Sequence, residues 1–427
     1  MRTASVVLVA ALVLAVMGPA PAEANGVTGT TSRVTVTVDG SPTDDDSCCS
    51  AVSDDGRFVA FSSAARNLVA DDSTWWLNVY VRDRTAGTTE RVSVQPDGQP
   101  FEWDADLVTM SGDGRFVYFL VQRHYSDVYR LWVRDRASAT STLLRKVVAE
   151  ADVSANGRWL AYSRRHTAVI TLHLQHLVTG AARLVAQLPD RHGVGPSVAD
   201  TGDIAFHTVA ALDPLDADGN YDPYLWTRRT GDVQLLPQDA AGEHPSTAGM
   251  PAIAAGGSGA VFWADGWVVW DRASDTPTFI DDAPYNEFVP LTAAITPDAR
   301  FVVYTKGEAD EHGSTSIHLY DAQTRTIERI DVNDYGWAMK GDTRPMLPSI
   351  SPDGRFVAFT GDAPSLVPNS PMHGYNDVFL RDRATSPVPG PLPNLMIRTH
   401  DQPFWRGVEV IGIGAEGTFV SVSPGTT

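Results

Sequence analysis

The segment ISPDGRFVAF at 350–359 decides the fold, because the chain spells it more than once: VSDDGRFVAF stands at 52–61 and MSGDGRFVYF at 110–119. Each joins an Asp-Gly pair to an apolar run. Asp or Asn before Gly is a strong hairpin signal, since the tight turn needs a positive φ that Gly adopts without steric penalty. The pairs Asp55 and Gly56, Asp113 and Gly114, Asn156 and Gly157, and Asp353 and Gly354 are therefore read as structural turns.

Aligned on Ser351, further copies place Ser53, Ser111, Ser154, Ala199, Ala254 and Thr296 at the same point, with spacings of 58, 43, 45, 55, 42 and 55 residues. The order within a copy is constant. A short strand meets the turn, then comes an apolar strand such as RFVAF or RWLAY, then a variable loop. A third strand ends in a charged turn, as in VYVRDR 79–84, LWVRDR 131–136 and VFLRDR 378–383. A fourth closes most copies, as in TTERVSV 88–94 and TIERIDV 326–332. Alternate residues of a strand face opposite sides, so RFVAF is apolar on both. Such a sheet must be covered by a neighbour on each side, and a closed ring does this without leaving bare ends. The expected fold is all-β, a seven-bladed β-propeller of four-stranded antiparallel blades.

Two copies and the ends qualify this. The fifth, AAGGSGAVFW at 254–263, lacks both Asp and Arg, which leaves a six-bladed ring with an irregular insert as the alternative. In the sixth, Ala299 replaces the turn Gly, so that turn must change type or carry strain. The seventh has no fourth strand of its own. SRVTVTVDG 32–40 matches ERVSVQPDG 90–98, so residues 33–38 are expected to supply it and close the ring from the N-terminus.

Residues 1–24 have the layout of a cleaved secretory signal: Arg2, an apolar run over 4–17 too short to span a bilayer comfortably, the breakers Gly18 and Pro19, then small residues around Ala22 and Ala24. An uncleaved anchor is the alternative. The propeller is expected over 32–386, a Pro-rich linker over 387–393 and a short β-rich tail over 394–427. The expected location is secreted or extracytoplasmic, without membrane insertion once the signal is cleaved. Lys and Arg number 33 against 52 Asp and Glu, a net charge of −19, which disfavours nucleic acid and anionic membrane as partners. The two cysteines, Cys48 and Cys49, are adjacent. Their Cα atoms are about 3.8 Å apart, whereas a disulfide prefers about 4.4 Å or more. Two thiols on opposite faces of a strand are expected, with a strained bridge as the other reading.

SPDGRFVAF followed by VFLRDR resembles the Pro-Asp repeat of TolB-like β-propellers, relatives of the WD-type propellers. SSAARNLVADD 62–72 and TERVSVQPDG 89–98 look like the longer, exported bacterial version. The likeness covers about residues 32–385 and rests on recurrence. It implies a propeller and a protein-interaction role. TolB has an additional α/β domain before its propeller, whereas these repeats begin almost at the leader, so the Tol-system role does not carry over.

No Gly-x-Ser-x-Gly, His-Glu-x-x-His or phosphate-binding loop is present. His173 and His176 are three apart on an expected strand and so fall on opposite faces. In DPLDADGNYDPY 213–224, Asp216, Asp218, Asn220 and Asp222 occupy every second position, as oxygen ligands for Ca²⁺ would, although the Gly is misplaced for an EF-hand and a solvated acidic loop explains the pattern equally well. No other cofactor is expected. Trp75, Trp76 and Trp103 are the candidate binding aromatics, with blade-edge packing as the competing account. The expected function is an exported, non-enzymatic propeller that binds a protein or glycan through its loops or channel mouth. The alternative is a propeller hydrolase or lyase acting on an extracellular polymer.

Overall fold

The computed structural model of the protein describes residues 22–23, 29–70, 74–122, 129–189, 194–216, 219–237, 251–264, 266–281, 292–307, 315–338, 348–362, 366–367, 374–384, 412–413 and 419–420. The chain divides into two compact units, Met1–Ser386 and Pro387–Thr427. In the second, Gly412–Ile413 pairs antiparallel with Phe419–Val420. Among the described residues no helix is long and apolar enough to cross a membrane.

The first unit holds seven sheets whose four core strands pair antiparallel, in chain order in all but the last. Blade 1 comprises Ser47–Val52, Phe58–Ser63, Asn78–Asp83 and Thr88–Arg91. Blades 2 to 6 begin at Ala105–Met110, Ala151–Val153, Ser197–Val198, Ala252–Ile253 and Ala293–Ile295. Blade 7 combines Ser349–Ile350, Phe356–Gly361 and Asp377–Asp382 with Thr30–Arg33 from the other end of the unit. Ala22–Glu23, inside the expected leader, add a parallel strand to the outer edge of blade 6. First strands touch one another in sequence around the ring, the seventh against the first. The fifth copy is a complete blade, so the ring has seven blades and not six.

Each seam between blades is filled by its own apolar cluster. Val59 and Phe61 of blade 1 pack with Ala358, Val378 and Leu380 of blade 7, while Ala60, Val79 and Val81 face Val117, Phe119 and Val121 of blade 2. One strand thus serves two cores, as the doubly apolar RFVAF requires. At about 1.5–3 kcal/mol per large apolar side chain withdrawn from water, these seams outweigh any surface ion pair.

The closing strand lies three residues upstream of the expected 33–38. Its pairing runs from Thr30 opposite Asp382 to Arg33 opposite Phe379. Beyond Val34 the chain leaves the sheet, because Val36 N–H donates back to the Val34 carbonyl (3.0 Å). The matching segments behave identically, Val94 to Val92 (2.9 Å) and Val332 to Ile330 (2.8 Å). The sequence match was therefore in register, but the alternating Val residues continue past a tight three-residue turn. Closure is locked by a buried pair, Arg33 Nε to Asp377 (3.0 Å), with Thr35 Oγ1 donating to the same carboxylate (2.7 Å).

The recurring letters have a common mechanical cause. In blade 1, Ser53 Oγ donates to Asp55 (2.7 Å) and accepts from Phe58 N–H (2.9 Å), and Asp55 accepts from Arg57 N–H (2.9 Å). Ser351 and Asp353 repeat this in blade 7. The turn Arg then forks onto the Asp of the charged turn: Arg57 to Asp83, Arg115 to Asp135, Arg300 to Asp321 and Arg355 to Asp382, each within 2.7–2.9 Å. These Arg side chains are nearly half exposed, so solvent screens each pair strongly. They set the geometry of the turns more than they stabilise them.

Glycine at the turn is required twice over. Gly56 has φ +68°, and a Cβ there would lie 2.5 Å from the Phe356 ring of the preceding blade. Gly354 stands in the same relation to Phe301. Ala299 keeps the ordinary turn, with φ +60° and its N–H on the Thr296 carbonyl (2.8 Å), so strain rather than a change of type is the outcome. Its methyl fits because blade 5 carries Gly259 where every other blade carries a large apolar residue.

Deleting 26–40 should strip blade 7 of its outer strand and lower the melting temperature, and equal melting with and without the segment would contradict this closure. Two turn substitutions should have opposite signs in denaturant titration. G354A should destabilise by about 3 kcal/mol, and A299G should stabilise by about 1 kcal/mol by relieving the positive φ.

Candidate functional site

An antiparallel four-strand blade puts its first and third turns at one end and its other connections at the opposite end. One face of the ring therefore carries the Asp-Gly and charged turns, and the other carries the variable loops. The first strands line the centre.

On the loop face, Trp75 and Trp76 belong to the loop inside blade 1, and Trp103 to the connection into blade 2. The structure brings them together. The Trp76 and Trp103 rings are 5.6 Å apart, and the Arg66 guanidinium lies 4.2 Å over Trp75. Asp104 positions the loop by accepting Leu77 N–H (2.8 Å), and the Leu77 carbonyl accepts Ala105 N–H (2.8 Å). Trp75 is 79% exposed and Trp76 38%, whereas Trp103 is half-buried against the blade 1–2 core. Neighbouring Phe101 is core, 5.1 Å from Trp132.

Sequence reasoning missed a second exposed pair, Tyr335 and Trp337, with rings 5.9 Å apart. They sit on the connection from blade 6 to blade 7. The signal was in the alignment: VNDYGWA 332–338 places aromatics where VQPDGQP 94–100 has Asp and Gln.

Of the alternate residues of the 213–224 loop, three lie among the described residues. Asp216 and Asp222 are buried, and Tyr224 Oη donates to Asp216. Asn220 is exposed, and Asp218 lies outside the described residues. Among the described residues no group of three or more His, Cys, Asp or Glu is placed to hold a metal ion. His173 stacks on Tyr162 at 5.0 Å and His176 meets Trp159 edge-on at 4.7 Å, each occupied in packing.

The centre carries acid and sulfur. Cys48 and Cys49, on the first strand of blade 1, are not bridged and turn their sulfurs toward one another. They do not point to opposite faces as expected. Cys49 takes φ +59° within a bulge, which cancels the strand alternation. Contact with Cys49, then burial, drives the Cys48 thiol pKa far up and keeps it protonated. Burial also raises the Asp106 carboxyl, with Asp104 adding to it. Asp152 is pushed up to about 7 by burial. Its oxygens accept Val198 N–H of the next blade (2.7 Å) and Val153 N–H (2.8 Å). Glu150 similarly accepts Val194 N–H (2.9 Å). These two carboxylates tie blade 3 to blade 4.

No family model matches the chain, and no curated relative does. Many solved propellers resemble it. An oligogalacturonate lyase in complex with manganese superposes with a TM-score of 0.53 at 16% identity, covering 86% of this chain and 98% of its own. The β-propeller domain of the Trilobed protease from Pyrococcus furiosus gives 0.51 at 13% identity, covering 86% and 99%. TolB from Acinetobacter baumannii gives 0.42 at 12% identity, covering 73% and 77%. At such identities the likeness concerns the fold alone.

The raised carboxyls predict a pH dependence. Asp152, at about 7, and Asp331, pushed up to about 6 chiefly by burial, both lie above the unfolded value of about 4. Their contribution to stability is fully present below pH about 4 and lost as pH rises through about 6–7. D152N should flatten the fall in unfolding free energy over that window by an amount on the order of 1 kcal/mol. An unchanged slope would show that this carboxyl titrates normally.

Proposed function

We propose that the chain is an exported, non-enzymatic β-propeller that captures a protein or glycan partner on its loop face. The observation that carries this is the exposed aromatic surface: Trp75 and Trp76 braced by Trp103 and Arg66, with Tyr335 and Trp337 presented by the corresponding connection of another blade. Exposed Trp and Tyr on rigid supports combine apolar area with a polar edge, which suits a binding hot spot or the face of a sugar ring. Export follows from the leader-like residues 1–24.

A hydrolase or lyase is the second reading, favoured by Asp152, whose carboxyl at about 7 is in the range useful for acid–base work. Against it, both oxygens of Asp152 are engaged by backbone N–H groups. A net charge of −19 also opposes a polyanion such as oligogalacturonate, the substrate named for one structural neighbour.

Binding of the chain lacking 1–24 to arrays of extracellular glycans and to surface proteins of the native culture tests the proposal. W75A/W76A should weaken the captured interaction by about tenfold or more with unchanged melting temperature. Equal affinity of the double variant, or turnover of oligogalacturonate by the wild type, would overturn it.

A further inference from the structure

On the turn face, five blades carry an aromatic directly after the turn: Phe58, Phe116, Trp159, Phe301 and Phe356. Four of these rings are covered by an arginine from the following blade. Arg136 lies 4.3 Å over Phe58, Arg228 4.8 Å over Trp159, Arg383 5.1 Å over Phe301 and Arg84 5.8 Å over Phe356. Three of these arginines, Arg84, Arg136 and Arg383, also donate to the carbonyl of their own turn glycine. Two of them, Arg136 and Arg383, reach a carboxylate of the preceding blade as well, Glu90 and Glu328.

Phe116 is the exception: its own Arg115 lies 4.7 Å over the ring, as Arg57, Arg300 and Arg355 lie over Phe58, Phe301 and Phe356, but no arginine of the following blade covers it from the other side. Leu177 occupies the arginine position of blade 3: its N–H donates to the Arg158 carbonyl (2.8 Å), as Arg136 N–H does to Arg115 (3.0 Å). Leu177 has no nitrogen to place over the ring. The turn also stands back, since a Cβ on Gly157 would meet only the Tyr118 hydroxyl, at 3.3 Å, and not the Phe116 ring. A cleft of about 530 Å³ opens at this seam, walled by Phe116, Tyr118, Val133, Leu144, Leu177 and Val178, with Asp54 and Asp113 among its polar lining. Val178 is 79% exposed. Burial, reinforced by Asp55, Asp113 and Asp353, holds the Asp54 carboxyl above its usual range, a negative field that a cation would relieve.

We propose that this cleft docks an arginine-bearing segment of a partner protein, whose guanidinium takes the place over Phe116 that an internal arginine takes at the other aromatic seams. The arginine stem and its apolar neighbours lie against Leu144, Leu177 and Val178, and the carboxylates of Asp54 and Asp113 supply the counter-charge. Guanidinium over an aromatic face is favourable and gains as water is excluded. This site is on the face opposite the tryptophans and does not depend on the function proposed above.

The test uses the chain lacking 1–24 and the peptide acetyl-Ala-Leu-Arg-Leu-Ala-amide, with its citrulline counterpart and free arginine as controls, read by calorimetry and amide shifts. The arginine peptide should bind, and the citrulline peptide and free arginine should each bind about tenfold more weakly. L177R should fill the cleft from within, abolish peptide binding and raise the melting temperature. F116L should weaken the peptide about tenfold and serves as the readout should L177R fail to fold. No response to the arginine peptide up to ~10 mM, equal binding of the citrulline peptide or of free arginine, or wild-type affinity in L177R or F116L would overturn the proposal.

Discussion

Sheets that are apolar on both faces are the constraint from which this architecture follows. Val59 and Phe61 of one strand face blade 7 while Ala60 of the same strand faces blade 2. No blade has a face it can leave in water, so each must lie between two others, and the row has to return to its start. That return is made by Thr30–Arg33 beside Asp377–Asp382, and it is secured where the solvent cannot compete, at the buried Arg33–Asp377 pair. Removing one partner of such a pair would leave an uncompensated buried charge, which costs far more than losing a surface bridge.

The turn face shows how one motif is kept workable through substitutions. The Ser-x-Asp-Gly-Arg-Phe string is a small machine. Ser and Asp side chains cap the turn, Gly makes room for the previous ring, Arg holds the charged turn, and the ring receives an arginine from the next blade. Departures are compensated in pairs. Ala299 is tolerated because Gly259 vacates the space beneath it. Asp203 replaces the turn Arg in blade 4 and takes Arg272 of blade 5 at 2.7 Å, exchanging a ring contact for an ion pair. Leu177 over Phe116 has no such compensation, and there the seam opens.

The two faces and the centre divide the work. Inner carboxylates such as Asp152 and Glu150 hold backbone N–H groups of the next blade, which commits them to the frame. Exposed aromatics collect on the loop face, where connections vary in length between copies. A rigid ring that presents variable loops suits recognition, because the scaffold has already met the ordering cost of the groups that would bind.

Much of this was legible in the letters. Recurrence of DGRF and RDR, with apolar residues on both sides of each strand, determined strand order and a closed ring, because a period in sequence is a period in space, whereas the choice of seven blades over six waited on the complete sheet formed by the fifth copy. The turn glycines were likewise readable, since positive φ is a local property. Tertiary structure alone decided the rest. The strand that closes the ring ends at Arg33 because a three-residue turn beyond Val34 interrupts an unbroken alternating pattern. Cys48 and Cys49 share a side because a bulge cancels alternation. Trp75, Trp76 and Trp103 are nearly thirty residues apart at their extremes and meet only when blade 2 packs on blade 1. The cleft at Phe116 depends on what the next blade places over that ring, and such a relation exists only once the blades are side by side.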